Sequence, residues 1–330
     1  MKTSNFFKAS VLLMLAMLFF PGCGGKKDDG GESPSNNQNP PDNQSNKGSW
    51  VQKANYQGAA VAYAVGFSVN GKIYVGMGSN GNHKNDLWQY DPATNKWTER
   101  KDFPGTGNLA YFVANNKAYV IASNMNMWEY NPETDSWMQK ASYPDNNLYA
   151  AATHIYFNIN NKGYVGYYYG SFSSIISGFY EYNPATDTWK KCMNTPWGIT
   201  VATATDQIGY AMGNDICYTY NPTTDKWAQK ANFPLSGSDY SGGIAFCEDG
   251  VIYAGLGAVA DYHSYIYSNQ IYKYDSDANS WSVAITVPDV LTREGAVAVM
   301  CNGKLYVGLG LMGVDSGVQQ CMLDFWEYSF

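Results

Sequence analysis

The string "LWQYDPATNKW" at residues 87–97 returns four times, as "MWEYNPETDSW", "FYEYNPATDTW", "CYTYNPTTDKW" and "IYKYDSDANSW". The spacing between copies is 38 to 54 residues. Self-similarity at such a period means a solenoid or a propeller, because one unit cannot bury its own apolar face and must stack on copies of itself. Each unit holds four short runs rich in Val, Ile, Tyr, Phe and Trp with no helical periodicity, so the runs read as strands.

In the last unit "EGAVAVMC" is strand A, "GKLYVGLG" strand B and "LDFWEYSF" strand C. Earlier units add a Trp-led strand D such as "KWTERKD". Strands A and B are joined by "NGK", "NNK", "NNK", "TDQ", "EDG" and "NGK", the Asn/Asp/Gly chemistry of two-residue hairpins that need positive φ. The quoted string lies between C and D. Its Asx-Pro pair starts a turn, and the proline, lacking an N–H, ends the ladder.

Tyr90, Tyr130, Tyr182, Tyr220 and Tyr274 each stand seven positions before a tryptophan: Trp97, Trp137, Trp189, Trp227 and Trp281. Another aromatic (Trp88, Trp128, Tyr180, Tyr218, Tyr272) lies two residues before each tyrosine, on the same face of strand C. Sheets with large aromatics on their faces must bury them on neighbours, and radial stacking does so. This Tyr-then-Trp spacing resembles the kelch repeat, and the resemblance covers residues 50–330. The Gly-Gly usual after strand B appears as "GMG", "GLG" and "GLG" in units one, five and six and is eroded in units two and four. The fold this implies is all-β, a six-bladed kelch β-propeller.

The strand C tyrosines count six units, the sixth being Tyr328, whose unit has no strand D after it. The segment "SWVQKANYQG" from Ser49 matches "KWAQKANFPL" of unit four, so Trp50 is expected to supply the outer strand of blade six and close the ring without a covalent bond.

Ahead of this domain, Lys2 and Lys8 precede the apolar run "VLLMLAMLFF" at 11–20, too short to span a bilayer as a helix and typical of a signal peptide. "PGC" follows and resembles the lipobox of bacterial lipoproteins, which implies lipidation at Cys23; the "KKDD" beyond it resembles a surface-export signal. An ordinary secretory signal is the alternative. Residues 24–48 are Gly, Ser, Asn, Pro, Gln and charge without periodicity, the composition of a tether. The expected organisation is a signal at 1–22, a lipidated cysteine and tether at 23–48, and a propeller at 49–330. It places the protein in the bacterial cell envelope, as an outer-membrane lipoprotein touching the membrane through its lipid alone.

The chain carries a net charge of −7, and loss of Lys2 and Lys8 makes it more acidic still, which argues against a nucleic-acid partner. The other five cysteines follow no CxxC spacing, so neither a disulfide framework nor a zinc site is implied. Cys247 and Cys301 hold nearly equivalent places and could pair, but two free buried thiols are the expectation.

Antiparallel order puts the A–B and C–D turns on one face and the B–C and D–A loops on the other. The first face repeats itself; the second varies, with long B–C connections in units one, three, five and six. Recognition is usually built on variable loops held by a rigid scaffold. Trp197, Tyr240 and Arg293 each lie thirteen residues before a strand B tyrosine, so they occupy equivalent places and are expected to ring the mouth of the central channel. Arg293 is one of only two arginines, and Glu294 follows it. Aromatic faces stack on sugar rings, and an arginine fork pairs with a carboxylate, which suits an acidic sugar or an anionic peptide. The alternative has Arg293 bracing loops, as the kelch resemblance implies, and Trp197 plugging the channel. Tyr149, Tyr262 and His83 complete the candidate ligand contacts.

His83, His154 and His263 fall in different units without the convergence of the copper site in galactose oxidase, a kelch propeller, so neither metal nor cofactor is expected. No GxSxG, Walker or HExxH string occurs. The leading expectation is a binding module for a glycan or protein ligand on the loop face. The resemblance to six-bladed kelch propellers extends to N-acetylneuraminate epimerases, which implies a sugar mutarotase as the alternative, with Glu294 and Arg293 as its acid/base and clamp candidates. A structural subunit of an envelope complex is the third reading.

Overall fold

The computed structural model describes residues 48–150, 153–171, 174–235, 240–261, 264–313 and 319–330; the signal segment and Cys23 lie outside them. Among the described residues no helix is long and apolar enough to cross a membrane.

Among the described residues there are six four-stranded antiparallel sheets, each in the order A, B, C, D. Their innermost strands are Val65–Val69, Ala110–Ala114, Thr153–Ile159, Val201–Ala204, Ile244–Glu248 and Val297–Cys301. Each contacts the next, and Val297–Cys301 returns to Val65–Val69, closing a ring around a central axis. Sheet six takes its outer strand from the other end of the chain: Ser49–Gln52 pairs with Phe325–Ser329, Trp50 opposite Tyr328. The expected noncovalent closure is therefore present.

The tight A–B turns follow their sequences. Asn70-Gly71, Asn115-Asn116, Asn160-Asn161, Asp249-Gly250 and Asn302-Gly303 all take positive φ, the backbone of two-residue hairpins. Unit four differs. Its "TDQ" turn has no positive φ; instead the Thr205 hydroxyl accepts the N–H groups of Gln207 and Ile208, so a side chain closes a wider turn.

The repeated aromatics join the sheets. On strands A and B, Phe67 stacks on Tyr74, Phe112 on Tyr119 and Phe246 on Tyr253, at 5.0 to 5.1 Å. Five of the strand B tyrosines then meet the strand C tyrosine of the next sheet, as in Tyr74–Tyr130 and Tyr119–Tyr182, and Tyr306–Tyr90 carries the contact across from sheet six to sheet one; Tyr253 meets Phe330.

A polar clamp accompanies these contacts, and it accounts for the conserved shape of the repeated string. Five residues after the strand C tyrosine stands an Asx in left-handed backbone: Asn95, Asp135, Asp187, Asp225 or Asn279. Its Oδ1 accepts the tyrosine hydroxyl at 2.6 to 2.9 Å. The same oxygen accepts one backbone N–H from the preceding unit, that of Ala54, Lys101, Ala141, Met193 or Ala231. The carbonyl of that same residue takes the indole N–H of the tryptophan two positions beyond the Asx. One linker residue is thus held at both backbone groups by the next sheet.

Cys301 is buried and Cys247 half-buried, and no disulfide joins them.

Asp225→Ala removes the acceptor of both Tyr220 and the Met193 N–H. Urea denaturation should show a loss of about 1–3 kcal/mol, the cost of stranding the hydroxyl of the buried Tyr220; an unchanged midpoint would mean the clamp does not hold the sheets together.

Candidate functional site

The loop face differs from the turn face in more than length. Sheet three extends its central hairpin to ten residues a side, Lys162–Ser171 against Ser174–Asn183. Sheet five adds the hairpin Ala258–Asp261 and Ser264–Tyr267, whose first strand pairs with Tyr240–Ser241. Sheet six adds Leu311–Gly313 and Gln319–Cys321. On the turn face a cavity of about 530 Å³ is lined by Thr205, Asp206, Cys247 and Asp249 among others, an acid-rimmed opening between sheets four and five.

The three equivalent residues proposed from spacing do not ring the mouth together. Arg293 is 0% exposed. Its two terminal nitrogens pair with both oxygens of Asp324 at 2.6 and 2.8 Å and also donate to the carbonyls of Leu309 and Val290. With its fork filled from within, it braces loops and offers nothing to a ligand carboxylate. Tyr240 is 1% exposed, packed on Phe233 with its hydroxyl donating to the Gly255 carbonyl. Trp197 is half-buried. Spacing identifies equivalent positions along the chain, but it does not set the direction in which each side chain leaves the backbone. Here both Arg293 and Tyr240 are buried, Arg293 against Asp324 and Tyr240 against Phe233.

The mouth is built two residues further on, just before each innermost strand. The Gly295 N–H donates to the Gly242 carbonyl, the Tyr63 N–H donates to the Gly295 carbonyl, and the Asn108 side-chain amide donates to the Tyr63 carbonyl. Sheets five, six, one and two are stitched in turn. Gly242 sits at φ +61, and a Cβ there would lie 2.6 Å from the Glu294 Cβ, so only glycine allows the approach.

Glu294 lies inside this stitching, 5% exposed. Its carboxylate accepts from the Ser241 hydroxyl at 3.2 Å, the Gln319 amide at 2.9 Å and the Tyr63 hydroxyl. Gln319 in turn donates to the Tyr267 hydroxyl at 3.0 Å. Burial pushes the Glu294 pKa up from its ordinary value, and the hydrogen bonds from Ser241, Gln319 and Tyr63 oppose the rise only in part. Tyr63 is the residue that sequence reasoning missed. It is 47% exposed, adopts φ +54, and lays its ring over Gly295. Nothing in "VAYAV" marks it, because neither a left-handed tyrosine nor its partner across 231 residues leaves a local signal.

The remaining candidates are scattered. His83 is exposed on the loop of sheet one, its ring beside Gly107. Tyr149 lies in the single helical turn Asn147–Ala150 between sheets two and three. Tyr262 and His263 lie outside the described residues. His154 is engaged by the Leu148 carbonyl at 2.7 Å, and burial lowers its basicity. Among the described residues no three His, Cys, Asp or Glu side chains gather as a metal site.

Comparison with known proteins adds three findings. The Kelch motif family matches residues 61–104. The solved structure of YjhT superposes with a TM-score of 0.65 at 18% identity, over 83% of this chain and 96% of that one. No curated protein matches the sequence. At this identity the likeness concerns the fold.

Two outcomes test the geometry. Asp324→Ala leaves the Arg293 charge buried and unpaired, and should lower unfolding stability by about 3–5 kcal/mol in guanidinium titration. For Glu294, a carboxyl that holds its proton more tightly folded than unfolded favours the folded state at low pH. That contribution is lost as the pH rises from the ordinary value of 4.5 through the raised one. Glu294→Gln should therefore gain on the wild type in denaturant midpoint as the pH is raised from acid to neutral; a constant difference would contradict the raised pKa.

Proposed function

We propose that this kelch-repeat β-propeller is a binding module that offers its loop face to a glycan or protein ligand, displayed from a bacterial membrane by lipid on Cys23. The fold suits recognition or catalysis equally, so the reading rests on the site. The observation that carries it is Tyr63: a half-exposed aromatic ring at the channel mouth, held in left-handed backbone. Such a backbone costs a non-glycine residue roughly 1–2 kcal/mol. It persists only where the surroundings over-determine it, as at ligand-binding sites. The Gly295 and Asn108 hydrogen bonds to its backbone and the pairing of its hydroxyl with Glu294 do so here. The hairpins of sheets three, five and six stand on the same face and supply exposed Ile175, Ile176 and Ile266.

An exposed ring beside hydroxyl and amide groups matches a sugar, whose apolar face stacks while its hydroxyls exchange hydrogen bonds. The internal pairing of Arg293 removes the carboxylate clamp that an acidic sugar would have needed, which turns the reading toward neutral glycans. A second reading, acid/base catalysis of sugar anomer exchange, is favoured by one observation: Glu294, buried among neutral hydrogen-bond donors beside Tyr63, holds its proton more tightly than an ordinary carboxyl, as a proton donor must.

The test is a glycan array spanning neutral and acidic sugars, probed with the wild type and Tyr63→Ala. Binding to neutral sugars that falls at least about tenfold in the variant, the worth of one aromatic stacking contact, supports the site. Binding unaffected by Tyr63→Ala moves the site elsewhere, and no binding by folded protein favours a protein ligand sought by pulldown. Acceleration of anomer exchange that Glu294→Gln abolishes would establish the catalytic reading.

A further inference from the structure

The five clamps described above have no complete sixth counterpart. In sheet six the place two residues before the tryptophan, filled elsewhere by Asn or Asp, is Gly48, which has no side chain to accept a hydrogen bond. The Tyr328 hydroxyl sits against the backbone there, where a Cβ would lie 2.0 Å from it. The Trp50 indole N–H is buried and has no acceptor. Every other tryptophan of this repeat slot donates to the linker of the preceding unit.

What holds Ser49–Gln52 is a four-residue ladder, the Trp50–Tyr328 ring contact at 4.9 Å, and the Lys53–Glu327 ion pair at 3.2 Å. Immediately beyond, the hold changes. Ala54 is gripped by sheet one through Asn95 and Trp97, at 2.8 and 2.9 Å. Peeling is therefore confined to Gly48–Lys53, with Ala54 as the hinge. The edge it would bare, Phe325–Ser329, is an open strand with a seat shaped for one sequence: a tryptophan against Tyr328 and a lysine against Glu327.

We propose that sheet six is an exchangeable strand site, and that its partner is the Ser49–Gln52 strand of a second copy of this chain. Two discs meeting rim to rim can trade these strands reciprocally. Six residues extended reach roughly 20 Å, enough to cross between abutting edges. The contacts made in trans are the same as those made within one chain, so the exchange follows protein concentration and closes with two-fold symmetry. Peeling this edge breaks the ladder and the Lys53 bonds to the Phe325 carbonyl and Glu327, but none of the Asx and indole bonds that tie the other five outer strands to the unit before.

The experiment uses the full chain carrying one new cysteine at a time. Ser49 and Ser329 are register partners, so Ser49→Cys and Ser329→Cys proteins are mixed and mildly oxidised, and linked peptides are identified by mass. A Ser49→Cys and Thr98→Cys mixture reports random collision, since Thr98 is exposed on the outer strand of sheet one. The expected result is an interchain 49–329 link at least about tenfold more abundant than the 49–98 link, because a seated strand raises effective concentration. Its yield should rise with protein concentration. If the 49–329 link between chains is no more frequent than the 49–98 link, while the double variant closes readily within one chain, the proposal is overturned.

Discussion

The molecule depends on one small interaction repeated around a ring: an Asx oxygen that accepts a tyrosine hydroxyl from its own sheet and a backbone N–H from the sheet before. A tryptophan beside it takes the carbonyl of that same linker residue. Antiparallel sheets bond well within themselves but have no hydrogen bonds to offer across their faces, so stacking them leaves angle and spacing loosely set. The clamp supplies direction where the aromatic packing supplies area. The left-handed backbone of Asn95, Asp135, Asp187, Asp225 and Asn279 is what aims the oxygen at both donors at once.

Because the clamps keep each sheet at a defined distance from the next, the loop face can vary without loosening the ring. Sheet two carries almost nothing there, while sheets three, five and six raise hairpins above the disc. Into this variable layer the structure sets two carboxylates with opposite fates. Asp324 neutralises Arg293 and turns the most conspicuous cation of the sequence into internal scaffolding. Glu294 is given only neutral donors, so burial dominates and makes it a weaker acid than an ordinary carboxyl. A buried charge with a bidentate partner is a structural element; a buried carboxyl without a cation keeps a perturbed pKa.

The seam shows what the clamp contributes by showing what its absence looks like. Sheet six retains the ladder and the aromatic contact, yet Gly48 and the unpartnered Trp50 indole leave it with packing and no polar lock. Ring closure here rests on the backbone ladder, the Lys53–Glu327 pair and ring packing, without the Asx and indole bonds that tie the other five sheets.

Much of this was legible in the residues. The Tyr-to-Trp spacing, the Asx-Pro turns and the Asn-Gly hairpins are local, so periodicity and turn chemistry determine the strands, their order within each sheet and the pairing of Trp50 with the last strand. The site was not legible in the same way. Trp197, Tyr240 and Arg293 are equivalent by count, but whether a side chain faces the axis or the gap between sheets depends on what fills that gap: Phe233 for Tyr240, Asp324 for Arg293. Tyr63 and Glu294 meet across 231 residues only because the ring closes. Sequence by itself determined the repeat, since hydrogen bonds and alternation act between near neighbours. Tertiary structure alone decided the site, since burial and long-range contact set which groups stay charged, which are neutralised, and which one faces solvent.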